Sequence, residues 1–114
     1  MTKQQIPAVI REIETLREHA TAEEKARLDY IAFDPNNGRT CIYGQMTGHC
    51  NSERANELMG LSTYESLLRD DDLCEHLSPL EVYICDHPKW NWHILQYIKG
   101  EINELPDLAQ IVSE

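Results

Sequence analysis

Gln45, Thr47, His49, Ser52 and Arg54 place five directional hydrogen-bonding side chains within the stretch Gly44–Arg54, which also holds Gly48. Glycines let a backbone approach a ligand closely, and a helix starting near Asn51 offers free amides and a positive dipole end. Arg54 has the geometry to hold an anion bidentately. The stretch matches neither GxxxxGK[ST] nor GxGxxG, so it predicts an anion at a helix start without specifying a phosphate loop.

A second set is Cys41, His49, Cys50, Cys74, His76, Cys85, His87 and His93. Structural zinc takes four ligands in a tetrahedron, commonly supplied as CxxC pairs, and none occurs here. Two Cys-x-His pairs do occur, Cys74/His76 and Cys85/His87, and they are the candidate metal ligands. No cofactor is expected, with zinc the one alternative held open.

Catalysis has weaker support. Cys50 follows His49, but a base must reach its nucleophile in space, and neighbours in sequence seldom face each other. Asp70-Asp71-Asp72 fails the EF-hand pattern, because Glu75 stands where glycine is required. A non-enzymatic role is the reading.

The fourth set is acidic and aromatic. Residues 1–50 carry six Lys/Arg against seven Asp/Glu, and residues 51–114 carry four against thirteen, within a net charge of −10. That field disfavours direct contact with nucleic acid or an anionic membrane. It attracts a basic partner and speeds the encounter at low salt. Trp90 and Trp92, two residues apart, cannot both point into one core from one helix. An exposed Trp92 beside acidic surface has the composition of a binding hot spot. The expected partner contacts are Asp70, Asp71, Asp72, Glu75, Glu81, Trp92 and Glu101.

The elements that position these residues are helical. Ile6, Val9, Ile10, Ile13 and Leu16 recur at steps of three and four, predicting a helix over 5–19. Thr21-Ala-Glu-Glu24 has capping-box form and predicts a second helix over 22–33 that buries Leu28, Ile31 and Ala32. Asp34-Pro35 stops it. Residues 34–50 read as an irregular Gly/Cys-containing loop with a short strand near 40–45. A helix from about Asn51 buries Ala55, Leu58 and Met59 and ends at Gly60. Tyr64, Leu67 and Leu68 share a helical face. Ser78-Pro-Leu-Glu81 combines cap, N1 proline and N3 glutamate, and opens a helix burying Leu80, Tyr83 and Ile84. Trp90, Ile94, Ile98 and Ile102 mark another helix, with Gly100 at its end, and Leu108, Ile111 and Val112 a last docking turn.

At 114 residues the expectation is one mainly α domain of five to six short helices: a hairpin over 5–33, a central loop over 34–50 and C-terminal helices over 51–103. No apolar h-region follows Met1 and the four cysteines read as free thiols, so a cytoplasmic location is expected. The function expected is an acidic, nucleic-acid-mimic-like interaction protein that binds, and can inhibit, a protein with a basic surface. The alternative is a ligand-binding or sequestering domain for a small anion or nucleotide at residues 44–54. A zinc-stabilised binding module comes third.

Overall fold

The computed structural model describes residues 3–35, 37–61 and 78–113. The expected partner residues Asp70, Asp71, Asp72 and Glu75, the expected ligands Cys74 and His76, and the Tyr64–Leu68 face lie outside those residues.

The apolar stripe at the N-terminus forms helix α1, Ile6–His19, with Pro7 in its first turn, where a missing amide costs nothing. Ile6, Val9, Ile13 and Leu16 are buried, while Ile10 stays exposed at the stripe's edge. α1 packs on α4 (Glu53–Leu61), α5 (Pro79–Asp86) and α6 (Asn91–Lys99), which makes it the central element.

Helix α2, Ala22–Ala26, opens with the expected capping box: Thr21 Oγ1 accepts from Glu24 N, and Glu24 Oε1 accepts from Thr21 N. It is far shorter than expected. Asp29 N donates to Gln45 Oε1 at 2.7 Å, Gln45 Nε2 donates to Asp29 O at 3.1 Å, and Ile31 N donates to Asp29 Oδ1 at 2.9 Å. Amides committed to side chains cannot extend an i→i−4 ladder. Leu28 is buried as expected, but Ile31 and Ala32 are exposed.

Helix α3, Ile42–Thr47, replaces the expected strand. Its first amide, Ile42 N, donates to Glu81 Oε2 at 3.1 Å, and Cys41 Sγ accepts from Gly44 N at 3.4 Å. Ile42, Tyr43 and Met46 are fully buried. Gly44 is required by close approach, since a Cβ there would lie 2.2 Å from the Gly38 carbonyl oxygen.

Helix α4 is capped by Ser52, whose Oγ accepts from Ala55 N, and it buries Ala55, Leu58 and Met59. It runs through Gly60 instead of stopping there. A Cβ on Gly60 would meet nothing within 4 Å. Gly60→Ala should therefore raise stability by about 0.5–1 kcal/mol in urea unfolding, the usual gain for alanine over glycine inside a helix. No gain would mean that the helix frays before residue 60.

Helix α5 carries the expected Ser78/Glu81 capping box and buries Leu80, Tyr83 and Ile84. A short 3-10 turn over Pro88–Trp90 leads into α6, which buries Ile94, Leu95 and Ile98. α6 ends where expected, at Gly100, whose φ of 82° suits glycine. Tyr83 Oη donates to Leu108 O at 3.1 Å and ties down α7, Leu108–Ser113.

Seven α-helices and no strand are found among the described residues, in a mainly helical globule. None of these helices is long and apolar enough to cross a membrane. The free-thiol expectation fails at Cys50, which is disulfide-bonded, while Cys41 and Cys85 stand outside any disulfide. That bond removes the cysteine argument for a reducing compartment.

Candidate binding groove between α2 and α6

The five polar side chains of residues 44–54 all hydrogen-bond within the chain, His49 from an exposed position and only to its near neighbour Asn51. Gln45 holds the backbone of Asp29 and also donates to Thr40 O at 2.9 Å. The Thr47 hydroxyl reaches Tyr43 O at 2.7 Å and accepts from Ser52 Oγ at 2.8 Å. His49 Nδ1 accepts from Asn51 N. Arg54 forks onto Glu24 at 2.8 and 3.0 Å, reaches Glu57 at 2.5 Å and donates to His19 O. This pairing holds the Glu24 carboxyl below the usual range and raises the Arg54 guanidinium. The stretch ties α4 to α2 and fixes the chain that follows α2.

Among the described residues, the members of the acidic and metal sets do not come together. Glu81 is fully buried, so it cannot be the surface contact expected of it. Its Oε1 accepts from Ser78 N and its Oε2 from Ile42 N, joining the starts of α5 and α3. Glu101 is exposed. Cys85 is an exposed thiol raised chiefly by desolvation and then by Glu81, Asp86 and Asp34. His87 packs its ring on Tyr83 at 4.7 Å. Among the described residues no three His, Cys, Asp or Glu side chains cluster to hold a metal. Cys50, being disulfide-bonded, has no thiolate to pair with His49.

A buried carboxylate that the sequence reading passed over lies beside Glu81. Glu12, on α1, is fully buried; Tyr43 Oη donates to it at 2.5 Å and Leu80 N at 2.8 Å. Desolvation pushes its carboxyl up to about 7; the hydrogen bonds from Tyr43, Ser78 and Leu80 oppose this, and the charge of Glu81 adds to it. Its position was readable, because Glu12 falls on the Val9–Ile13–Leu16 stripe. Buried among three helices, it is a packing hub without access for a substrate.

An open concave surface lies elsewhere, between α2 and α6. Trp92, Leu95, Gln96 and Lys99 stand at i, i+3, i+4 and i+7 on α6 and face Ala26, Leu28 and Tyr30 across a cavity of about 440 Å³. A second cavity of about 340 Å³ continues past Ala26 and Lys99 to Lys25 and Glu101. Both volumes fall in the range of ligand and side-chain pockets. Tyr30 is 44% exposed, Trp92 42% and Ile31 78%, so three of the five exposed large apolar side chains among the described residues sit at or beside this groove.

These aromatics are held in place. Asn91 Nδ2 donates to Tyr30 O at 3.1 Å, and Gln45 and Asp29 fix the backbone on either side. His93 packs edge-on against Trp92 at 5.1 Å. With its amide oriented as its neighbours require, Gln96 accepts from Trp92 Nε1 at 3.1 Å and donates to Glu101. Exposed apolar side chains on clamped backbone lose little entropy when a partner covers them.

No family model matches the chain, and no curated protein or solved structure is significantly similar to it.

Proposed function

We propose that this chain is a non-enzymatic interaction protein whose contact surface centres on Trp92 and Tyr30 at the α2–α6 groove. The observation that carries this reading is the pair of exposed aromatics on one clamped groove. Aromatic anchors in a pre-formed depression are the usual centre of binding energy in an interface. The partner is a protein with a basic surface, because a chain of net charge −10 steers such a surface toward itself. Glu101, linked to Trp92 through Gln96, puts an exposed carboxylate beside the anchor and suits an arginine laid on the indole.

Truncating a hot-spot residue costs about 2 kcal/mol or more, roughly a thirtyfold loss of affinity. Trp92→Ala should therefore remove from an affinity column the proteins that wild type retains, with circular dichroism unchanged. Retention should also fall as salt shortens the Debye length from about 10 Å to about 3 Å between 0.1 and 1 M. Retention indifferent to Trp92→Ala defeats the anchor, and retention indifferent to salt defeats the basic partner.

A further inference from the structure

A separate cavity lies away from the α2–α6 groove. Trp90, at the end of the 3-10 turn, lines it together with Pro106, Asp107, Gln110 and Ile111 around the start of α7, and its volume is about 220 Å³. Small-molecule pockets begin at roughly 300 Å³, so this one suits a single long side chain. Its walls are held in place. The Tyr83 hydroxyl donates to Leu108 O, Leu108 is buried, and the Trp90 ring packs on His93 at 5.4 Å. Trp90 Nε1 is buried without an acceptor while the residue is part-exposed, so the indole meets the cavity through its carbon atoms and not through its N–H. An indole face attracts cations, and exposed Lys89 already stands 5.8 Å from the ring centroid.

The charge lining this cavity is negative. Among the described residues Asp107 is its one charged lining group; it is exposed, and no Lys, Arg or His pairs with it. Its Oδ1 accepts from Gln110 N at 3.1 Å, which caps α7 and fixes the carboxylate at the rim. Residues 101–107 add exposed Glu101 and Glu104 and carry no base. We infer that the cavity seats one arginine side chain of the basic partner, its stem against Pro106 and Ile111, its guanidinium plane on Trp90 and its N–H fork on Asp107. Arginine fits better than lysine, because its planar, weakly hydrated head both stacks on an aromatic face and forks onto a carboxylate. This rests on the partner being basic, as proposed above, and adds a second contact beyond the groove. His93 links the two places, since its ring packs on both Trp90 and Trp92.

A direct probe is the peptide acetyl-Gly-Arg-Gly-amide, beside its citrulline counterpart, which keeps the shape and lacks the charge, and its lysine counterpart. Binding is followed through the Trp90 indole signal in ¹H–¹⁵N spectra, assigned with Trp90→Phe, while the Trp92 signal reports the groove separately. The arginine peptide is expected to saturate the Trp90 shift. The citrulline peptide should bind about tenfold more weakly, having lost its charge-assisted hydrogen bonds, and the lysine peptide should fall between the two. Asp107→Asn keeps the α7 cap, since asparagine caps a helix as well as aspartate does, and should weaken the arginine peptide to the citrulline level. Glu53→Gln removes an equal charge from the exposed start of α4 and should change nothing. Lys89→Gln removes the cation that competes for the ring and should tighten binding. Equal binding of the arginine and citrulline peptides, or equal losses from Asp107→Asn and Glu53→Gln, overturns the site, as does a Trp90 signal unmoved at tens of millimolar peptide. Equal binding of the lysine peptide overturns the choice of arginine. The basic partner itself is judged separately, by the salt dependence of the column.

Discussion

Glu12→Gln is expected to make the chain about 3 kcal/mol more stable than wild type at pH 8 and to change it little at pH 4.5, in urea unfolding followed across that range. The carboxyl of Glu12 titrates near 7 in the fold against a model value of 4.5. Between those values the folded chain holds a proton that the unfolded chain has released, so stability falls as pH rises through the window. Below it both states are protonated and nothing is lost; above it both are ionised and the penalty is complete. A difference of about 2.5 units corresponds to about 3 kcal/mol. Glutamine copies the protonated acid. Its oxygen keeps the Leu80 amide, and its NH₂ donates to the Tyr43 hydroxyl, which can accept as well as donate. Glu24 pulls the other way: its lowered carboxyl contributes stability that is lost as pH falls. Only the difference between wild type and Glu12→Gln isolates the buried group. Parallel pH profiles for the two chains would show that Glu12 is ionised in the fold without penalty.

Glu81→Ala should be the most damaging change in this cluster, costing about 3–5 kcal/mol. Two backbone amides, Ser78 N and Ile42 N, each lose their carboxylate acceptor in a dry site, and each unsatisfied donor costs about 1–3 kcal/mol. Glu81→Gln should recover only part of this. Both oxygens of Glu81 face N–H donors, so an amide NH₂ must oppose one of them. Glu12 tolerates glutamine because one of its oxygens faces a hydroxyl, and Glu81 does not. If Glu81→Gln proved as stable as wild type by urea unfolding at pH 7, the double cap would not be holding α3 and α5.

The elements that could be read in the chain are those whose signals are local. The Thr21/Glu24 and Ser78/Glu81 boxes satisfy amides three residues away, and both formed as expected. The Ile94 and Ile98 stripe and the Gly100 stop are equally local. The end of α2 is not, because Gln45 terminates it from 16 residues downstream. Cys41-Ile-Tyr resembles a strand on β-branched and aromatic propensity alone, yet Glu81, 39 residues on, caps Ile42 and settles a helix. The same long-range capping turned Glu81 from an expected surface acid into a core residue. The polar side chains of 44–54 looked like ligand contacts because their partners, Asp29, Tyr43 and Glu24, could not be seen from the stretch itself. The groove was half legible: Trp92 was singled out, but Tyr30 and Ile31 were hidden in a helix expected to run to residue 33.

The measurement that tests the central claim most directly is photo-crosslinking from position 31, beside the Tyr30–Trp92 anchors, compared with position 57 on α4, outside the groove. A benzophenone amino acid at either exposed site should leave the fold intact. The account predicts that position 31 yields discrete adducts with a basic protein, that Trp92→Ala abolishes them, and that position 57 yields none of them. The same adducts from position 57, or adducts from 31 that survive Trp92→Ala, would contradict it.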